Sequence, residues 1–246
     1  MIDLAERAAE AAARVLALRY PEATAAFVAG SIMRGEGTEF SDIDCVVLFD
    51  RLANARRESF AFEGFPVEAF VHDPQTLRWF MDDDAASGRP CIVHMVAEGR
   101  LIGPRVADAM RLKSEAVARL AEGPKRLEGE QLDALRYAIS DLLDDLRGTR
   151  SAAEMRAIGA QLQKAAADLI LLGRGRWTGS AKWIPRLIKA VDADLAQRFD
   201  AAFCKLWIDA QGNEVIALLE KELDRHGGPL FDGYCRDAPA QNRRVA

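Results

Sequence analysis

The segment Asp42-Ile43-Asp44-Cys45-Val46-Val47-Leu48-Phe49 constrains this 246-residue chain more than any other. From Ile43 to Phe49 the residues are β-branched and apolar, the composition of a central strand, and Asp42 and Asp44 stand at its entrance. Strand side chains alternate, so the two carboxylates project to the same side, ~7 Å apart along the chain at ~3.3 Å per residue. A pair at that spacing can share metal ions. Magnesium prefers oxygen donors and binds through one or two carboxylates plus substrate phosphates, so it suits the pair. In two-metal catalysis the ions lie ~3.5 to 4 Å apart and stabilise the entering and leaving oxygens of an in-line displacement.

The elements around this strand can be read from periodicity and punctuation. Residues 3–19 predict a helix, with Asp3 as N-cap, Glu6 three positions on, and Ala8, Ala12, Val15 and Leu16 at helical spacing. Thr24 to Val28 predicts a short buried strand. Ser59 to Phe62 and Phe65 to Val71 predict a hairpin turning at Glu63-Gly64. Asp73-Pro74 predicts the start of a helix that Gly88 and Pro90 end, and a short helix and a small strand near Arg100–Ile102 follow. Beyond Gly103-Pro104 the pattern is helical, in segments near residues 105–121, 129–148, 151–172, 181–191, 195–210 and 213–226. The tail from Gly227 onward, rich in Gly, Pro and Arg, predicts loose order. The expected fold class is therefore α+β: a small mixed sheet with flanking helices in residues 1–104, then an all-helical bundle domain in residues 105–246.

Charge and composition narrow the functional classes. The net charge of −5 argues against nucleic acid as a partner, because neutralising phosphates needs a basic surface. Residues 1–104 hold 10 basic and 17 acidic side chains, whereas residues 105–246 hold 23 and 21, so the halves differ electrostatically. No apolar run approaches the ~18 residues of a membrane span, and Asp3, Glu6 and Glu10 stand where a signal peptide would be basic and then apolar. A cytoplasmic protein is expected. Cys45, Cys91, Cys204 and Cys235 lack the paired spacings of a zinc site or disulfide framework, and read as reduced thiols.

A third acid is wanted beside Asp42 and Asp44. Glu68 suits, because it lies in a strand that can pair beside theirs and points opposite to Val67, Ala69 and Val71. Upstream, Gly30 allows a backbone to approach a triphosphate closely, and the Ser31 hydroxyl and adjacent N–H groups can donate to phosphate oxygens. Gly35 and Gly37 keep the loop compact, Arg34 could add a cationic contact, and Ser41 could cap the carboxylate turn.

Gly30-Ser31, ten residues, then Asp42-Ile43-Asp44 among apolar residues and a later strand acid at Glu68 resemble the signature of the polymerase-beta-like nucleotidyltransferase superfamily, over about residues 23–72. With a helical domain behind it, the chain looks most like the aminoglycoside (antibiotic) nucleotidyltransferases. The resemblance implies transfer of a nucleoside monophosphate from a nucleoside triphosphate to a small-molecule hydroxyl, with release of pyrophosphate. Asp42 and Asp44 would then bind two magnesium ions, and Glu68 would complete the site as metal ligand, as base or as both. From Leu169 to Val191 the chain carries Arg174, Arg176, Lys182, Arg186 and Lys189 and no acid. Lys182 is the position matched to the helical-domain lysine that aminoglycoside-type enzymes place near the phosphates. The same superfamily includes antitoxin-like proteins and regulators that modify or bind a protein partner, which is the alternative reading.

Other clusters read as structural. Asp82, Asp83 and Asp84 point in different directions on a helix and read as a solvated helix end. His72, His94 and His226 have no ligand-like spacing, and Phe60, Phe62, Phe65 and Phe70 read as core.

Overall fold

The computed structural model describes residues 3–148 and 150–238. It divides into two units, Met1–Pro124 and Lys125–Ala246. In the first, helix α1 (Leu4–Arg19) precedes strands β1 (Ala25–Ala29), β2 (Ile43–Leu48), β3 (Arg56–Phe62) and β4 (Phe65–His72). Helices α2 (Pro74–Ser87) and α3 (Cys91–Glu98), strand β5 (Arg100–Ile102) and helix α4 (Val106–Glu122) complete it. The strands form one mixed sheet in the order β3-β4-β2-β1-β5. Only β2 and β4 run parallel, with Asp44 opposite Glu68 and Val46 opposite Phe70; the other pairings are antiparallel.

Alternation along β2 divides the core into two layers. Ile43, Cys45 and Val47 join Val67, Ala69 and Val71 under α1, whose Ala8, Ala11 and Ala12 let the helix backbone approach the sheet. Val46 and Leu48 point the other way and pack with Phe27, Leu77, Val93, Val96, Leu112 and Ala116 of β1, α2, α3 and α4. Asp44 therefore belongs to the face covered by α2, α3 and α4. The expected hairpin is present, with positive φ at Glu63 (49°) and Gly64 (83°), the backbone that a two-residue turn of this hand needs. Arg14 clamps the turn through a 2.9 Å bond to Glu63.

Helix α4 belongs to this first unit rather than opening the helical half. Its apolar stripe Ala109, Leu112, Ala116 closes the second face of the sheet, so the contact boundary falls after Gly123-Pro124 and not at residue 104. Arg105 bonds Asp50 at 2.6 Å, and Arg78 of α2 bonds Glu115 of α4 at 2.8 Å, tying that helix to the sheet.

Two local readings are corrected. Asp3 occupies the N-cap position of α1 but its side chain makes no capping bond; Glu6 instead pairs with Arg100 of β5 at 2.8 Å. Asp84 is not solvated. It is buried (8% exposed), and its Oδ2 accepts the Val93 N–H at 2.8 Å. Pro90 at the N-cap of α3 offers no side-chain acceptor, so Asp84 caps that helix from α2. Asp82 is ion-paired with Arg119. Asp84→Ala leaves the buried Val93 N–H without an acceptor, and should lower stability by about 1 to 3 kcal/mol. Urea unfolding measures this, with Asp84→Asn, which keeps a carbonyl oxygen, expected to lose less.

The second unit contains α5 (Gly129–Arg147), α6 (Ala152–Leu172), α7 (Trp183–Val191), α8 (Ala193–Asp209) and α9 (Asn213–Asp224) around Ile139, Leu162, Ile170, Phe203 and Leu219. The segment after Gly227 is packed, against expectation, as far as it is described. Arg136 donates to the Gly227 and Gly228 carbonyls, Leu230 N–H donates to Ser140, and Tyr234 stacks on Tyr137 at 4.2 Å. Residues 239–246 of that segment lie outside the described residues. No helix of the described residues is long and apolar enough to cross a membrane.

Candidate active site

Strand register brings the acids together. Ala29, Asp44, Glu68 and Ser59 form one row across β1, β2, β4 and β3, and Asp42 lies two residues before Asp44, on the same side. Ligand oxygens of Asp42, Asp44 and Glu68 all lie within 4.8 Å of one another. All three residues are half-buried.

Burial pushes the Asp44 carboxyl up to about 6, and repulsion from Asp42 and then Glu68 adds to it, while Arg34 and Arg57 oppose the shift. Three converging carboxylates with that mutual repulsion are an oxygen-only donor set that a hard divalent cation would relieve, so the residues fit magnesium.

The loop from Gly30 to Ser41 is shaped around the Asp44 carboxylate. Gly30 has φ +92°, and a Cβ there would run into Asp44 Oδ2, with Asp44 Cγ at 3.2 Å. Glycine is thus required twice, by backbone conformation and by close approach. Ser31 Oγ–H donates to Ser41 Oγ at 3.0 Å, and the Thr38 N–H donates to the same oxygen at 2.9 Å. Ser41 therefore staples the two ends of the loop together rather than capping the aspartates. Ile32 anchors the loop in the α1 layer, and Gly37 lies against it.

Two arginines border the carboxylates. Arg34 lies 3.6 Å from Glu98 and 3.8 Å from Glu36. Arg57, on the edge strand β3, donates to Glu68 Oε1 and lies over the Phe70 ring at 5.0 Å. The sequence reading missed Arg57. Its signal was parity: Arg57 pairs with Phe70 in the ladder, so it shares the face of Glu68, whereas Arg56 does not.

Lys182 is exposed at the N-cap position of α7 in the second unit. The loop before it is held by a 2.7 Å bond from Thr178 Oγ1 to Asp168, and Arg186 lies over the Trp183 ring at 5.4 Å. Within the cationic run, Arg174 is engaged by buried Glu222 at 2.8 Å. His72 is a buried core residue, its ring 5.0 Å from that of Phe80 and its pKa pushed by burial down to about 4. The cysteines are free thiols, and burial pushes Cys45 up to about 12.

Residues 11–111, from within α1 into α4, match the family model described as a nucleotidyltransferase domain. The first unit carries a nucleotidyltransferase domain. Its carboxylate group is Asp42, Asp44 and Glu68. No curated protein matches the chain. Among solved structures it is similar to a nucleotidyltransferase-like protein from Exiguobacterium sibiricum, at 14% identity and a TM-score of 0.47, over 87% of this chain and 74% of that one.

Proposed function

We propose that the protein transfers a nucleoside monophosphate from a nucleoside triphosphate to a hydroxyl of a small molecule, releasing pyrophosphate. The observation that carries this reading is the convergence of three carboxylates from two parallel strands beside the Gly30-Ser31 turn, within a nucleotidyltransferase domain. In the reaction the acceptor oxygen bonds to the α-phosphorus, the bond from that phosphorus to the bridging oxygen of the pyrophosphate breaks, and the acceptor proton leaves.

Asp42 and Asp44 would hold two magnesium ions in this reading, and Glu68 would complete the set and take the hydroxyl proton. When bound, the ions supply charge neutralisation at the triphosphate and at the leaving oxygen. Gly30 keeps the backbone low enough for phosphate oxygens to approach, and the Ser31 and Ser41 hydroxyls, already bonded to each other, keep the loop in place. Arg34 is assigned to the triphosphate as a cation. Positioning and electrostatics supply most of the rate enhancement.

The acceptor class follows from the resemblance to aminoglycoside-type enzymes, so an acceptor screen starts with aminoglycosides and reads pyrophosphate release with each of the four nucleoside triphosphates. No pyrophosphate with any acceptor, combined with capture of one stoichiometric protein partner, would favour the protein-directed alternative.

A further inference from the structure

We propose that Arg57 is an internal counter-ion of the carboxylate group, holding Glu68 until a divalent cation displaces it. The inference rests on the metal-binding reading of Asp42, Asp44 and Glu68 given above. It deepens that reading by giving this site a built-in competitor for its cation.

Arg57 is the second residue of the edge strand β3, and its ladder partner is Phe70, two residues beyond Glu68 on β4. That placement lets its side chain run along the sheet face over the Phe70 ring, at 5.0 Å, and donate from Nη2 to Glu68 Oε1. The guanidinium is also within electrostatic reach of both aspartates. The pair has the asymmetry a displaceable contact needs. The Arg57 side chain is 60% exposed and that of Glu68 22%, and an exposed ion pair is weak because water screens it and ordering two long side chains costs entropy. A divalent cation meets three carboxylates at once and carries twice the charge, so it outcompetes one guanidinium at the same place. Once displaced, Arg57 remains over Phe70, where ring and cation attract each other. Binding of the cation is therefore an exchange of positive charges, and Glu68 passes from an arginine-bound to a metal-bound form.

The test is calorimetric titration of the full-length protein with Mn2+, and separately with Mg2+, without nucleotide, on the wild type, Arg57→Gln and Arg57→Lys. Arg57→Gln is expected to bind either ion about tenfold more tightly, because the competing charge is gone. Arg57→Lys retains the charge and should stay within about twofold of the wild type on the same electrostatic ground. A merely structural role for Arg57 would weaken binding in the glutamine variant or leave it unchanged. Either result, with the wild type binding normally, overturns the counter-ion role and leaves the metal site standing. A lysine variant as tight as the glutamine variant also overturns it, since charge is the competitor. No binding by any of the three proteins removes the metal reading itself, and this inference with it.

Discussion

Asp44→Asn is expected to abolish magnesium-dependent nucleotide binding and, without divalent cation, to make the protein more stable than the wild type above pH 6. Both effects have one origin. Asp44 sits centrally in the carboxylate row, and burial together with Asp42 and Glu68 holds its carboxyl at about 6, against 3.8 ordinarily. A raised folded-state pKa means the folded protein binds the proton more tightly than the unfolded chain. The ionised group therefore costs stability, with no cost below 3.8, a growing cost between 3.8 and 6, and the full cost above. Allowing for solvent screening at its partly exposed edge, the cost is roughly 1 to 2 kcal/mol. Asparagine keeps the shape and removes the charge. Urea unfolding in the presence of a chelator at pH 8 and pH 5 should show the variant ahead at pH 8 and the gap narrowing at pH 5. Calorimetry with each nucleoside triphosphate and magnesium supplies the other half. A variant that still binds magnesium nucleotide like the wild type takes Asp44 out of the site.

Gly30→Ala should disable the site with all three acids in place. The added methyl strains a backbone at φ +92° and meets the Asp44 carboxylate, so either the loop or the carboxylate must move. The backbone strain alone costs on the order of 1 to 3 kcal/mol. Displacement of Asp44 out of the row should reduce magnesium-dependent nucleotide affinity by at least about tenfold, roughly the value of one lost charge-assisted contact. Gly64→Ala is the control. It has a comparable φ of +83°, but a methyl there meets nothing within 4 Å. It should show the stability loss and bind nucleotide normally. If both glycine variants bind equally well, close packing of Gly30 on Asp44 is not what places the carboxylate.

Much of this was legible in the residues themselves. Alternation in Ile43-Asp44-Cys45-Val46 keeps the Asp44 carboxylate off the α1 layer that takes Ile43 and Cys45, and the same parity at Val67-Glu68-Ala69 puts Glu68 beside it. What stayed hidden depends on which elements meet. Asp82, Asp83 and Asp84 are equivalent as sequence, and only the packing of α3 on α2 turns Asp84 inward to meet the Val93 N–H at the end of α3. The stripe Ala109, Leu112, Ala116 looks the same whether it covers a sheet or a bundle, and only its packing with Phe27 and Val46 shows that α4 covers the sheet. Arg56 and Arg57 are likewise indistinguishable until the ladder fixes which one shares a face with Glu68. Chemistry carried by strand parity can be read locally; chemistry carried by tertiary partners cannot.

The Glu63-Gly64 turn has a consequence for how this chain can change over time. Because β3 folds directly back into β4, the turn counts residues. One residue gained or lost in β4 between the turn and Glu68 would present Val67 or Ala69 to the carboxylate row and send Glu68 under α1. The link between β2 and β3, residues 49–55, has no such arithmetic to respect, since β3 faces β2 only through β4. Insertions and deletions should therefore accumulate in the link and be purged from the hairpin, so that length variation, more than residue identity, marks which part of this sheet is under functional selection.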